Sequence, residues 1–128
     1  MTGSGRDQAR HQARHQVMAA CTAKPGSVED YPFGDGVAVY KVAGKMFALV
    51  PVAEEPPSIS LKCDPDFAES LRDRYAGITP GYHLNKRHWN TVALDGSVPD
   101  DEVTELIDQS YDLVVASLTR ARRDHLAG

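Results

Sequence analysis

The segment Thr79–Leu94, with the sequence TPGYHLNKRHWNTVAL, holds the densest group of side chains in the chain that could contact a ligand. Its basic and polar members are His83, Asn85, Lys86, Arg87 and His88. A cationic pair at a projecting turn can reach phosphates, and Asn and His side chains can contact phosphates or base edges. Tyr82 and the single tryptophan, Trp89, add two aromatic rings that could pack in a core or contact a ligand. The segment therefore indicates a nucleic-acid contact, a binding surface, or a polar hairpin.

Metal and nucleophile chemistry have little support. His11 and His15 lie one helical turn apart, but no HExxH motif joins them and arginines are their neighbours. Cys63 could be paired with His83 or His88, yet it falls on the buried side of an alternating strand. No GxSxG, P-loop or strand-linked GxGxxG motif occurs. The sequence predicts a protein that is not an enzyme and holds neither a metal nor a cofactor.

Charge is unevenly distributed along the chain. The net charge of −4 over 128 residues argues against nucleic-acid binding over the whole surface. No acid occurs between Asp73 and Asp95, whereas the stretch from Asp95 to Asp112 is rich in acids and has no Lys or Arg. This pattern predicts one mildly basic side and one acidic helix.

Composition also indicates the class and compartment. The chain is 41% hydrophobic and 25% charged, which is typical of a soluble globular protein. It has no apolar run near the roughly 20 residues that a membrane span needs. Cys21 and Cys63 are far apart and in no CxxC pair, which favours reduced thiols. We therefore expect a cytoplasmic protein with no membrane partner.

The first half of the chain predicts one helix followed by three strands. The helix is expected over about 6–23, before the helix-breaking Pro25-Gly26. The stretch SVEDYPFGDG is interpreted as a loop, and VAVYKV and KMFALV as a hairpin around Ala43-Gly44. SISLKC alternates cleanly and predicts a third strand.

The second half predicts a helix, two strands and a final helix. DPDFAESLRDRY should begin at the N-cap Asp64, with Phe67, Leu71 and Tyr75 at helical spacing. ITPGYHL and HWNTVAL are two extended segments. The last helix has one apolar stripe made of Val103, Leu106, Ile107, Ser110 and Val114.

This order predicts an α+β fold: a single antiparallel β-sheet of about five strands, with the N- and C-terminal helices packed on one face. We divide the chain into a flexible leader over residues 1–5, one domain over 6–118, and a basic C-terminal tail over 119–128. The other face of the sheet would meet water or a partner.

The motifs EDYPFG, YKVAGKMFAL, LKCDPDFAESLRDRY and ITPGYHLNKRHWNTVALDGSVPDDEVTELIDQSYDLV together resemble the MmcQ/YjbR family. The resemblance runs from about Pro25 to Leu118 and implies a fold similar to that of CyaY and frataxin. Members are commonly named DNA-binding, from a proposed double-wing arrangement of projecting β segments. Carried onto this chain, the wings would be the Lys41–Lys45 hairpin and the His83–His88 tip. The iron chemistry of frataxin is not implied, because the first helix is basic here.

Two hypotheses follow. The first is a non-enzymatic DNA-binding protein of double-wing type that contacts mainly phosphates, with little sequence preference. Its contact residues would be Lys41, Lys45, Lys62, His83, Asn85, Lys86, Arg87 and His88. The second is a module that binds a small molecule, related to an antibiotic, or a protein on the same aromatic and basic surface, with Tyr82 and Trp89 as contacts. Only the first should weaken steeply with added salt.

Overall fold

The computed structural model describes residues 4–81 and 84–127, and the side chains of 12–81 and 84–126. Its helices are α1 (Ser4–Thr22), α2 (Pro65–Arg74), α3 (Asp100–Ala116) and α4 (Arg120–Ala127). Its strands are β1 (Ser27–Asp30), β2 (Val37–Val42), β3 (Lys45–Pro51), β4 (Ser58–Lys62), β5 (Ile78–Pro80) and β6 (Trp89–Ala93). The strands form one sheet in the order β1-β2-β3-β4-β6-β5, and every neighbouring pair is antiparallel. The predicted α+β class with one antiparallel sheet is confirmed, with six strands instead of about five.

The additional strand is β1, in a stretch that the sequence analysis interpreted as a loop. It pairs with β2, with Glu29 opposite Tyr40 and Asp30 opposite Val39. The Tyr40 hydroxyl donates to the Glu29 carboxylate at 2.6 Å, and the Lys41 ammonium donates to Asp30 at 2.9 Å. Cross-strand polar pairs thus hold an edge strand whose own residues are mostly exposed. Such a strand lacks the apolar alternation on which prediction depends.

The predicted hairpin between β2 and β3 is confirmed. Ala43 and Gly44 both have positive φ, at 50° and 79°. Two consecutive left-handed residues are typical of a tight type I′ turn, whose twist matches that of the flanking strands. A register shift between Tyr40 and Lys41 lies close to the turn and separates the hairpin tip from the regular ladder.

All the packed helices cover one face of the sheet, and the main core lies between. The predicted stripe of α3 is confirmed, since Val103, Leu106, Ile107, Ser110 and Val114 are all buried. On α2, Asp64 accepts from the backbone N–H groups of Asp66 and Phe67, which confirms it as the N-cap. The predicted helix is confirmed, and its buried residues are Ala68 and Leu71, whereas Phe67 is 39% exposed.

Two boundaries differ from the prediction. Helix α1 begins at Ser4, two residues before the expected start at about residue 6. The basic tail contains helix α4, because Leu126 is half-buried and packs against the main core. The Arg122 guanidinium also donates to the Ala43 carbonyl oxygen at 3.2 Å. These two contacts place α4 beside the β2–β3 turn.

The strand register gives the sheet two chemically different ends. At one end lie the β2–β3 turn, the end of β4 at Lys62 and the start of β6 at Trp89, which is preceded by loop 81–88. We call this the basic end. At the opposite end lie Glu54 and Glu55 before β4, and the first turn of α3 with Asp100, Asp101 and Glu102. We call this the acidic end.

Candidate nucleic-acid interface

Loop 81–88 joins β5 to β6 at the basic end and carries two exposed cations of the predicted set. Lys86 and Arg87 are exposed, and neither side chain has an ion pair or hydrogen bond with any residue that the structure describes. The Asn85 side chain accepts from the backbone N–H of Arg87 at 3.0 Å, and the backbone N–H of His88 donates to the Asn85 carbonyl at 3.2 Å. Asn85 is therefore used to form the turn that presents the two cations.

The base of this loop is tightly fitted. A Cβ atom on Gly81 would lie 2.7 Å from Cβ of Trp89 and 3.1 Å from its carbonyl oxygen. The Gly81 N–H donates to that same carbonyl at 2.9 Å. A side chain at position 81 would separate the two strands, so glycine is needed at this position for close backbone approach.

Arg72, on α2, holds loop 81–88 in place by hydrogen bonds from the helix side of the sheet. Its Nε donates to the Asn90 side-chain oxygen at 2.7 Å, and its Nη2 donates to the carbonyls of Lys86 and Trp89. Asn90 is only 2% exposed and donates in turn to the Ala68 carbonyl. Sequence reasoning missed Arg72, and its only signal was a basic residue in the last turn of a helix next to a polar loop.

Lys62 lies between the two turns, opposite Trp89 in the β4–β6 pair. Its side chain is half-buried and makes no hydrogen bond or ion pair with a described residue. Its backbone N–H donates to the Ser110 hydroxyl at 2.9 Å, and that hydroxyl donates to the Phe47 carbonyl at 2.6 Å. Ser110 thus replaces the direct β3–β4 bond that would come next in the ladder, and so fixes the position of Lys62.

The hairpin lysines are less available than the sequence indicated. Lys41 is paired with Asp30, and this hydrogen bond, together with one from the Tyr31 N–H, lowers the pKa of the Asp30 carboxyl. Lys45 is directed toward the end of α3 and donates to the Ser117 hydroxyl at 3.2 Å. The two lysines therefore do not form one free cationic patch with Lys86.

Helix α4 adds cations that were not among the predicted contacts. Its basic residues Arg120, Arg122 and Arg123 are exposed beside the β2–β3 turn. The basic end of the sheet thus carries cations from the hairpin, from Lys62, from loop 81–88 and from α4.

Trp89 and His88 are less exposed than a ligand-binding role would need. Trp89 is 8% exposed and forms a small second core with Val39 and Leu49 on the sheet face away from the helices, with Leu84 packed against it. His88 is half-buried, and its carbonyl accepts from the Cys63 N–H at 2.7 Å. Tyr82 and His83 lie outside the described residues.

Both cysteines are buried, including Cys63, which follows Lys62 at the basic end. Burial raises the pKa of the Cys63 thiol to about 11 and that of Cys21 to about 12, which keeps both groups neutral near pH 7. His15 is exposed on α1, and the side chain of His11 lies outside the described ones. Among the side chains described, no three of the His, Cys, Asp or Glu type come together as metal ligands. In the described part of the chain, no helix combines the length and apolarity needed to cross a bilayer.

Comparison with known proteins gives consistent similarities. The YjbR family model matches residues 22–113, a range that stops before α4. The chain is 39% identical over 108 residues to the uncharacterized protein YjbR of Escherichia coli K12, covering 84% of this chain and 92% of that protein. A crystal structure of a Deinococcus radiodurans protein with a DUF419 domain superposes with a TM-score of 0.84 at 41% identity, covering 88% of this chain and 86% of that one. A crystal structure of a Pseudomonas syringae protein gives 0.67 at 32% identity, covering 78% and 97%.

Proposed function

This chain belongs to the YjbR family, and from that premise we propose that it binds DNA through phosphate contacts made by the basic end of its sheet. The observation that carries the proposal is the exposure of Lys86 and Arg87, free of ion pairs with described residues, on a turn at that end. An exposed and unpaired cation contributes little to folding. Two adjacent ones on a braced turn are better explained by an anionic partner.

The separation of charge supports this orientation. Acids concentrate at the opposite end of the sheet, in the first turn of α3 and in Glu54 and Glu55. The net charge of −4 would repel DNA from most of the surface, so a duplex would approach with the basic end first. Near this end, Asp64 caps α2, and α4 carries one exposed acid, Asp124. Asp30, the last residue of β1, is paired with Lys41.

The hydrogen bonds that hold loop 81–88 in place reduce the conformational entropy that the loop would lose on binding DNA. Arg72 holds the carbonyls of Lys86 and Trp89, and the Asn85 side chain fixes the turn. Cations held on a preorganised turn lose little conformational entropy when they meet phosphates. None of these contacts reads a base edge, so the expected binding has little sequence preference.

Salt dependence is the quantity that tests the mechanism. With about three to five phosphate contacts, the slope of log K against log salt is about −2.7 to −4.5, so affinity should fall roughly 40- to 500-fold between about 50 and 200 mM salt. The measurement is fluorescence anisotropy of a short labelled duplex titrated with the full chain at both salt concentrations.

A matched pair of variants locates the surface. Arg87→Ala should weaken binding about 3- to 10-fold at low salt and reduce the salt slope by about 1. Arg74→Ala removes the same charge from an exposed position at the end of α2, toward the acidic end, and should leave binding nearly unchanged. The double variant Lys86→Ala with Arg87→Ala should weaken binding by about one to two orders of magnitude, with no large loss of thermal stability.

Three results would defeat the proposal. They are a parent chain that does not bind the duplex at about 50 mM salt, binding that is insensitive to salt, and equal losses from Arg87→Ala and Arg74→Ala. The last result would mean that general charge, and not the loop, governs association.

A further inference from the structure

A groove of about 720 Å³ lies on the sheet face away from the helices. Its floor and walls come from strands β2, β3, β4 and β6, from loop 81–88, from the β3–β4 connection and from the segment before β2. The lining residues are Phe33, Val37, Leu49, Pro51, Glu54, Ser58, Ser60, Leu84 and Thr91. This volume lies within the range of roughly 300–1,000 Å³ that small-ligand sites occupy.

Two polar lining residues, Glu54 and Ser58, lie at one end of the groove. Val37, Pro51, Ser58 and Glu54 lie toward the acidic end of the sheet, whereas Leu84 lies on loop 81–88. Ser60 and Thr91 share a hydrogen bond of 2.9 Å across β4 and β6, so these two hydroxyls satisfy each other. The Ser58 hydroxyl is half-buried and has no hydrogen-bond partner among the described residues.

Among the described lining residues, Glu54 supplies the one charge, and its carboxylate is exposed. Arg14, a buried residue of α1, donates to the Glu54 backbone carbonyl at 2.6 Å and pairs with the neighbouring Glu55 carboxylate at 3.3 Å. Arg14 therefore anchors the segment and neutralises Glu55 instead of Glu54. The Glu54 carboxylate makes no ion pair or hydrogen bond within the described part of the chain.

From this arrangement we infer that the groove binds a small organic cation, with an apolar body on Val37 and Leu49 and an ammonium group at Glu54 and Ser58. An ammonium group needs acceptors, and the exposed Glu54 carboxylate and the half-buried Ser58 hydroxyl supply them in the same groove. The apolar floor favours a hydrophobic or aromatic body. The same carboxylate repels phosphate, so this site is separate from the DNA surface and does not depend on it.

Three probes with one ring system test the charge preference: 2-naphthylmethylammonium, 2-naphthalenemethanol and 2-naphthoate. Each is titrated into the full chain, and binding is followed by amide chemical shifts in nuclear magnetic resonance. The cation should bind about fivefold more tightly than the alcohol, as expected for a partly exposed ion pair, and the anion should bind most weakly. The shifted amides should map to Val37, Leu49 and Ser58.

Charge-matched variants assign the effect to one residue. Glu54→Gln should bring the cation to the affinity of the alcohol and leave the alcohol unchanged. Glu69→Gln removes an exposed carboxylate from α2, on the helix side, and should keep the fivefold preference. Neither position lies at the basic end of the sheet, so loss of this binding and loss of DNA binding are separate results.

The inference is overturned if the cation has no advantage over the alcohol, if the advantage survives Glu54→Gln, or if the shifted amides lie away from the groove. Self-association of the chain that covers the groove and excludes the cation would overturn it as well, because a second copy would then be the occupant.

Discussion

Removing the Arg72 side chain should release loop 81–88 from α2 and should destabilise the protein much more than the removal of one surface charge does. Arg72→Met keeps the aliphatic part of the side chain and removes its bonds to the Asn90 side chain and to the carbonyls of Lys86 and Trp89. Hydrogen bonds to a charged donor contribute about 1.5–3 kcal/mol each. Asn90 is 2% exposed, so its side-chain oxygen would be left without a partner.

The expected loss in free energy of unfolding is about 2–4 kcal/mol, because water can reach the exposed carbonyl of Lys86 and recover part of the lost bonding. For a chain of this size that corresponds to a fall in Tm of roughly 8–16 °C. The assay is urea unfolding, in which the midpoint should fall while the m-value stays constant.

Arg74→Met is the matched control. Arg74 is exposed and its guanidinium lies 5.3 Å from the Tyr75 ring centroid, an arrangement that contributes at most about 1 kcal/mol. A double-mutant cycle of Arg72→Met with Asn90→Ala should give a coupling energy of at least about 1 kcal/mol. Equal destabilisation by the two arginine variants, or a coupling energy near zero, would refute the role assigned to Arg72.

Three further predictions concern the buried groups. Ser110→Ala should lower the free energy of unfolding by about 2–4 kcal/mol in chemical denaturation, because a strand carbonyl and a strand N–H lose their shared partner; Ser117→Ala, at the exposed end of the same helix, should lower it by much less. Trp89→Ala should lower it by about 3–5 kcal/mol by the same measurement, since the ring is 8% exposed and fills the second core; a loss below about 1 kcal/mol would show that the ring is not core. The pKa values of the Cys63 and Cys21 thiols are raised to about 11 and about 12 from an ordinary value of 9.0. The stability that the neutral thiols contribute is therefore complete below pH 9.0 and is lost as the pH rises toward about 11. Urea midpoints should therefore fall more steeply above pH 9.0 in the parent than in the Cys63→Ala variant, and identical pH profiles would contradict this.

The elements that the sequence predicted well are those whose signal is local. The α3 stripe follows from helical spacing, and Ser110 belongs to it by position even though its hydroxyl bridges two strands. The β2–β3 turn follows from the Ala43-Gly44 pair between two apolar runs. In both cases the residues that define the element are also the residues that stabilise it.

The elements that were missed depend on distant partners. Strand β1 is held by cross-strand hydrogen bonds from Tyr40 and Lys41. Helix α4 is held by the packing of Leu126 against the main core and by the hydrogen bond from Arg122 to the Ala43 carbonyl. The groove on the free sheet face combines four strands and three connecting segments. The partners of β1 lie 11 residues away and that of Arg122 on α4 lies 79 residues away, and hydrophobic periodicity within an element gives no sign of such contacts.

The candidate site shows the same distinction within one residue type. Lys41, Lys45 and Lys86 are equally plausible phosphate contacts from sequence, because each is a lysine at or near a predicted turn. In the fold, Lys41 is paired with Asp30 and Lys45 donates to the Ser117 hydroxyl. Lys86 is exposed and has no bond to a described residue. A cation already engaged must give up its partner before it meets a phosphate, which costs up to about 1 kcal/mol, or about fivefold in affinity. If binding depends on availability, Lys86→Ala should reduce DNA affinity at low salt several-fold more than Lys41→Ala does. An equal loss from the two variants would show that position at the basic end matters and that pairing does not.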